Sequence, residues 1–292
     1  MDIPFYQVDV FSNTLFGGNP LAVFLNGENF KEDQLQQVAR EMNLSETTFV
    51  FPPSHPDANF DVRIFTPGKE IPFAGHPTLG TAFILMHAGL IPSSKNKLIL
   101  NFKAGLISVQ QKEDGIFLMK TPGGKILQTL SNTKKVADTL GVKLNHIEPN
   151  LPIQTVTTGF PGLLVPITSL GAMKGILLDL VLLKPLLKEA KADMIYPFTR
   201  QTLDQENSIH ARGFAPFIGI PEDPGTGSVA SALGYYLNKK NSQEKRIIIE
   251  QGYEMKRPSN IIVKIDEVKG GTNEIRVGGR VRLVFKGTLY LK

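Results

Sequence analysis

The chain contains no cysteine. Disulfides, thiolate metal centres and every cysteine-based mechanism are therefore excluded, and the composition suits a reducing compartment. Long apolar runs are also missing. The longest, such as Ala82–Met86 and Leu180–Leu183, fall far short of the ~20 residues that span a bilayer as a helix. Cations exceed anions by little, 32 Lys and Arg against 27 Asp and Glu. The basic runs are only pairs, such as Lys134-Lys135 and Lys239-Lys240. No basic stripe with interleaved aromatics occurs, so neither nucleic acid nor membrane is expected as a partner. The opening Met1-Asp2-Ile3-Pro4 lacks the basic and apolar regions of a signal peptide. Together with the missing cysteines, this leads to the expectation of a cytoplasmic protein. His55, His87, His146 and His210 have no metal-ligand spacing with one another, and no metal is expected.

What is present is a pattern that occurs twice in 292 residues, a length sufficient for two domains with their own cores. Arg63-Ile64-Phe65-Thr66-Pro67 leads into Gly75-His76-Pro77-Thr78 and an apolar run. Arg212-Gly213-Phe214-Ala215-Pro216 leads into Gly225-Thr226-Gly227-Ser228 and a second run of small and apolar residues. Each copy reads as strand, tight turn and helix N-terminus, where unpaired N–H groups favour anions. Two half-sites facing each other across a cleft would suit a small carboxylate.

The periodicity predicts strands at Phe5–Phe11, Leu21–Leu25, Thr47–Phe51, Ala58–Phe65, Lys97–Phe102 and Leu106–Gln111. It predicts an amphipathic helix at Lys31–Leu44, with Asn29 and Glu32 as a capping pair. Pro77–Gly89 is apolar on all sides, so a helix there must be buried all round. Val229–Leu237 is similar, with Ala230, Ala232 and Gly234 allowing close packing. Thr121-Pro122-Gly123-Gly124 is the candidate linker. Beyond it, Lys134–Leu140 and Leu177–Lys191 read as helices, the second interrupted at Pro185. Ile153–Thr158, Leu163–Ile167, Arg246–Gln251 and Ile261–Ile265 read as strands, and Lys269–Asn273 as a turn. Gly278-Gly279 breaks the strand that follows, and Arg280–Leu291 returns to the first domain. The fold expected is α+β, with two pseudo-symmetric domains, each a barrel-like, mostly antiparallel sheet around a central buried helix. The domains are residues 1–121 with 279–292, and 126–278.

Four side chains could carry chemistry. Glu46 lies between a helix end and a strand, a junction that can aim a carboxylate into a cleft, though a surface acid would fit the same position. His76 sits at the first turn of the buried helix, as a functional ring or one satisfied by local backbone. Asp223 precedes the Gly225–Ser228 turn, and capping of the turn by Asp223 and of the helix by Ser228 would explain both residues. Capping and ligand binding are compatible, because N–H groups remain nearby. Gly225-x-Gly227-x-x-Ala230 also imitates a dinucleotide fingerprint. Pro221 and Pro224 interrupt the preceding strand, and Glu222-Asp223 would repel a pyrophosphate, so no nucleotide cofactor is expected.

Together these residues resemble the PhzF family of phenazine-biosynthesis-like isomerases, which share the diaminopimelate epimerase fold. The matching segments include Val8–Phe11 with Gly18-Asn19-Pro20, Glu41–Thr47, Phe65-Thr66-Pro67 with Glu70, Gly75–Leu79, Glu222-Asp223-Pro224 with Gly227-Ser228, Gln251-Gly252 with Arg257-Pro258, and Gly278-Gly279. They occur in order over nearly the whole chain. The resemblance implies that Glu46 is the general acid/base, that His76 and Asp223 orient substrate and assist proton movement, and that Gly75, Gly227 and Ser228 bind its polar groups. It implies carbon-to-carbon proton transfer on a small carboxylic acid, without a cofactor, in a homodimer. The alternative is a small-carboxylate binding protein that keeps the cleft without catalysis. Lys256, where a glycine is usual, and Pro77, where alanine is common, depart from the family pattern.

Overall fold

A computed structural model describes residues 2–92, 94–241, 243–267 and 273–291, so all but the last residue of the expected turn at Lys269–Asn273 lies outside the described residues. The chain divides into two compact units, Met1–Lys120 with Gly278–Lys292, and Thr121–Val277.

The first unit begins with β1 (Asp2–Val10), β2 (Asn19–Phe24), α1 (Glu32–Met42), β3 (Glu46–Phe51), β4 (Phe60–Phe65) and β5 (Glu70–Ile71). α2 (Gly75–His87), β6 (Lys97–Phe102), β7 (Gly105–Gln111) and β8 (Phe117–Lys120) follow. The second unit begins with β9 (Lys125–Leu130), α3 (Thr133–Leu140), β10 (Ile153–Thr157), β11 (Pro161–Pro166), α4 (Leu170–Lys174) and α5 (Leu180–Ala190). β12 (Met194–Thr199), β13 (Ile209–Ala211), β14 (Gly213–Ala215), β15 (Ile220–Asp223), α6 (Gly227–Lys240), β16 (Arg246–Gln251), β17 (Ser259–Glu267) and β18 (Asn273–Gly279), whose last two residues fall in the first unit, complete it. The last strand, β19 (Val281–Tyr290), belongs to the first unit and lies antiparallel to β1.

The two units repeat one topology. In the first, the pairing runs β19–β1–β2–β3–β4–β6–β7–β8, with β2–β3 and β4–β6 parallel and the rest antiparallel. In the second it runs β9–β10–β11–β12–β13–β16–β17, with β11–β12 and β13–β16 parallel. The architecture is α+β, and each unit packs one central helix against several of its strands. α2 contacts β1, β2, β3, β7, β8 and β19, and α6 contacts β10, β11 and β17.

The apolar periodicity accounts for these helices. Gly75 through Ala82, with Ile84 and Leu85, are buried in α2. A Cβ at Gly80 would stand 2.6 Å from Leu21 Cδ2, and one at Gly234 would stand 2.6 Å from Val263 Cγ1. Each glycine lets its helix approach a strand more closely than alanine would permit.

Four local expectations need correction. α2 begins at Gly75, two residues before the expected Pro77. Proline is tolerated in a first turn, because its missing N–H has no intrahelical partner there. The capping pair Asn29–Glu32 does not form, because Gly27–Asn29 is a 3-10 turn and α1 starts only at Glu32. Gln34 instead accepts from the Lys31 N–H at 2.8 Å. α5 runs through Pro185 without interruption. The bond that proline forfeits is to the carbonyl of Val181, an exposed residue of the first turn, where water can replace it. Finally, Ser228 lies inside α6, whose N-cap is Thr226.

On the other side of β3, away from α2, an aromatic cluster fixes the strand. Phe49 stacks on Phe24 at 5.2 Å between ring centres, and meets Phe30 and Phe65 edge-on at 5.1 and 5.5 Å. Phe49 is fully buried. Replacing it with alanine is expected to cost about 3–5 kcal/mol of unfolding free energy. Denaturant titration checks this, and a loss below about 1 kcal/mol would show that the cluster does not anchor the strand.

Candidate active site

Glu46 is delivered by the end of α1. Asn43 ends that helix in the left-handed conformation, φ 51°, which asparagine tolerates better than most residues. Leu44 and Ser45 then lead to Glu46, the first residue of β3, paired with Leu21 of β2. Side chains alternate along a strand, so Glu46 and Thr48 share one face while Thr47 and Phe49 share the other. Thr48 identifies the first face, because its hydroxyl lies 2.9 Å from that of Thr81 on α2. His76 precedes Thr81 by five residues, a helix rise of about 7.5 Å. Glu46 precedes Thr48 by two, about 6.6 Å of strand. The axial spacings are comparable, and Glu46 meets His76.

Glu46 Oε2 lies 3.3 Å from His76 Nε2, with side-chain exposures of 9% and 6%. The two atoms are close without the alignment of a hydrogen bond, and His76 Nε2 has no hydrogen-bond partner among the described residues. Burial pushes the imidazole down to about 3, so the ring is neutral at pH 7. Gly75 and His76 open α2, whose N-cap, Ala74, supplies no side-chain acceptor. First-turn N–H groups therefore flank the carboxyl–imidazole pair.

The second unit gathers the other expected residues. Asp223 ends β15 and is buried. Its Oδ2 accepts from the Thr226 hydroxyl at 2.5 Å, which holds the Pro224-Gly225 turn closed. Gly227 and Ser228 open α6, and Thr226 makes no side-chain cap. Thus Glu46, His76 and Gly75 converge in one unit, and Asp223, Gly227 and Ser228 in the other. Among the described residues no group of three histidine or acidic side chains is placed to hold a metal ion.

Sequence reasoning missed what holds each hairpin that leads to a site helix. Arg63 donates through Nε and Nη2 to both oxygens of Glu70, at 2.8 and 2.9 Å. Arg212 donates in the same way to Glu222, at 2.8 and 2.9 Å. Each guanidinium also covers the phenylalanine two residues on, Phe65 at 5.1 Å and Phe214 at 4.8 Å. These bidentate pairs are geometrically specific. The available signal was the Arg-x-Phe-x-Pro copy in each half, each followed by a glutamate.

The departure at Lys256 has a backbone meaning. Its φ is 58°, a conformation that costs an ordinary residue roughly 1–2 kcal/mol and glycine little. His210 lies outside both groups of expected site residues. It is buried between Glu250, at 2.8 Å from Nδ1, and Glu254, at 3.0 Å from Nε2. Burial alone would lower its affinity for a proton, but the hydrogen bonds and charges of both glutamates outweigh it and raise the ring to about 9.

The phenazine biosynthesis-like family model matches residues 8–287. An uncharacterized isomerase of Pasteurella multocida is 33% identical over 290 residues, covering 98% of this chain and 94% of the relative. A trans-2,3-dihydro-3-hydroxyanthranilate isomerase of Pseudomonas aeruginosa is 29% identical over 290 residues, covering 97% of this chain and 98% of the relative. The crystal structure of a Bacillus anthracis phenazine biosynthesis protein of the PhzF family superposes with a TM-score of 0.92 at 26% identity, covering 100% of both chains. Several curated relatives that match nearly the whole chain are named isomerases, and this protein is an isomerase. It belongs to the phenazine biosynthesis-like, or PhzF, family.

The two buried histidines lead to opposite behaviour in a proton NMR titration. The His76 resonance is expected to stay flat from about pH 4 to 9, where a free ring would titrate near 6.5. A normal inflection there would contradict its desolvation. His210 is expected to lose its proton near 9. Because the unfolded ring loses it near 6.5, this contribution to stability is complete below about pH 6.5 and fades as the pH rises through 9. Glu250 and Glu254, held below the usual carboxylate range, act in the other direction. Burial opposes their charge, but the bonds to His210, joined at Glu250 by those from Leu203, Asn207 and Asp204, outweigh it, so their contribution is lost in acid. Chemical denaturation at about pH 6 and pH 10 should differ by at most on the order of 3 kcal/mol through this cluster. His210→Gln should remove most of that difference.

Proposed function

We propose that this isomerase moves a proton from one carbon to another on a small unsaturated carboxylic acid, with Glu46 as the acid/base. The observation that carries this reading is the buried contact of Glu46 with His76 at the start of α2. The Glu46 carboxylate removes a proton from an acidic carbon and becomes a carboxylic acid. The electron pair left behind spreads into the conjugated system of the substrate, and the same carboxylic acid returns the proton at the far end of that system. Bonds made and broken balance, nothing is oxidised, and no further reactant is consumed.

His76, neutral and with an open Nε2, serves as a hydrogen-bond partner for the substrate, and the N–H groups of Gly75 and His76 stabilise negative charge as it develops. In the second unit, Asp223 is assigned the part of orienting substrate, and the amides of Gly227 and Ser228 that of binding its polar groups. Exclusion of water keeps the proton on Glu46 until it is returned. One further feature favours a single base. Met194 opens β12 at the place where Glu46 opens β3, so the repeated scaffold carries a carboxyl there in only one copy.

The Pseudomonas aeruginosa relative is named for trans-2,3-dihydro-3-hydroxyanthranilate, which makes that the first compound to test, within a panel of small unsaturated carboxylates. Wild-type protein should convert at least one of them to an isomer in a proton NMR assay. Glu46→Gln should slow that conversion by about 10²–10⁴-fold while shifting the thermal denaturation midpoint with ligand as wild type does. A variant as fast as wild type would overturn the assignment of the base. A wild type that binds carboxylates but converts none would favour the binding-protein reading.

A further inference from the structure

The second unit holds a buried polar chain that the scheme above does not use. Tyr196 and Gln251 are both fully buried. The Tyr196 hydroxyl donates to Gln251 Oε1 at 2.7 Å, and the same oxygen accepts from the Thr226 N–H at 3.1 Å. Gln251 Nε2 donates to the Asp223 carbonyl at 2.7 Å and to Thr226 Oγ1 at 2.9 Å. All four hydrogen-bonding positions of the carboxamide are used.

Its orientation is forced. Reversal would set an acceptor against the Asp223 carbonyl and a donor against the Thr226 N–H. Burial, reinforced by the charge of Asp223, pushes the Tyr196 phenol well above its ordinary range, so it remains a donor. Because Nε2 donates to Thr226 Oγ1, the Thr226 proton is committed to Asp223 Oδ2. The bonds therefore run in one direction, from Tyr196 through Gln251 and Thr226 to the Asp223 carboxylate. Gly213, paired with Asp223 across the hairpin, leaves room for this chain. A Cβ there would stand 3.0 Å from Thr226 Oγ1 and 3.1 Å from Gln251 Nε2.

We propose that Gln251 is a positioning residue for the isomerase reaction, gripping Asp223 and Thr226 so that the Asp223 carboxylate and the first amides of α6 are fixed before substrate arrives. The proposal rests on the role assigned to Asp223 above. A buried carboxamide with four partners is well suited to this task, since loss of any one leaves a polar atom unsatisfied in a dry interior.

Amide hydrogen exchange of the full chain, read by mass spectrometry over residues 224–230, tests it without a substrate. Gln251→Met keeps the length of the side chain and removes its bonds, and Thr226→Val removes one hydroxyl at constant shape. Both should speed exchange in this segment by about tenfold or more. Thr226→Ser retains the hydroxyl but loses a methyl group, and should stay within about threefold of wild type. If Thr226 acted through packing alone, serine would do no better than valine. Equal exchange in Gln251→Met and wild type, or a serine variant as fast as the valine one, would overturn the proposal. Should Gln251→Met fail to fold, the Thr226 pair decides. In turnover of trans-2,3-dihydro-3-hydroxyanthranilate, Thr226→Val should lower kcat by about tenfold or more with KM within about threefold. A wild type inactive on this compound would count against the proposed reaction, while the exchange result would still decide whether Gln251 fixes the turn.

Discussion

A carboxyl and an imidazole held 3.3 Å apart, and almost wholly out of water, are costly to maintain. The first unit is organised around that contact. It requires β3 to present one face to α2 and the other to an aromatic cluster, and it requires α2 to be enclosed along nearly its whole length. A one-residue slip in the register of β3 would exchange the two faces. Glu46 and Thr48 would then point at the phenylalanines, and Thr47 and Phe49 at the helix. The Thr48–Thr81 contact and the stack of Phe49 on Phe24 guard against this slip from opposite sides. The geometry of the proposed acid/base is thus specified by packing that does no chemistry itself.

The second unit shows what the same scaffold does without the carboxyl. Its strand order and its two parallel pairs repeat those of the first. Each copy ties a hairpin with an arginine–glutamate fork and starts its central helix without a capping side chain. The difference lies in the polar groups. Where β3 carries Glu46 and Thr48, β12 carries Met194 and Tyr196, and Tyr196 belongs to a hydrogen-bonded chain ending on Asp223. One copy is suited to hold a mobile proton. The other is suited to hold a carboxylate still.

The parts legible in the sequence were those set by local pattern. The two enclosed helices announced themselves because their apolar residues leave no face for water. The strand that carries Gly278-Gly279 ends at Gly279, and the next begins at Val281. The legibility of Glu46 was of another kind. Its place between a helix end and a strand was visible, but an acid/base role came from resemblance to a family. Errors arose where local rules met context. Asn29 looked like a cap, yet the turn it occupies postpones the helix. Pro185 looked like a break, yet it falls where the lost bond faces solvent. The Gln251 chain was out of reach because its partners lie 25, 28 and 55 residues away in sequence. No periodicity encodes such pairs.

The central claim is that one sequestered carboxyl both takes and returns the same proton. It is tested most directly by label transfer within a single turnover. The substrate, trans-2,3-dihydro-3-hydroxyanthranilate or whichever carboxylate the panel identifies, is deuterated at the carbon that loses its proton. It is mixed with excess enzyme in ordinary water, and the product is analysed by mass spectrometry. A single base shielded from solvent gives product that carries much of the deuterium at its new position. Complete replacement by solvent hydrogen in the first turnover would contradict the account, because the proton would then have passed through water or through a second base.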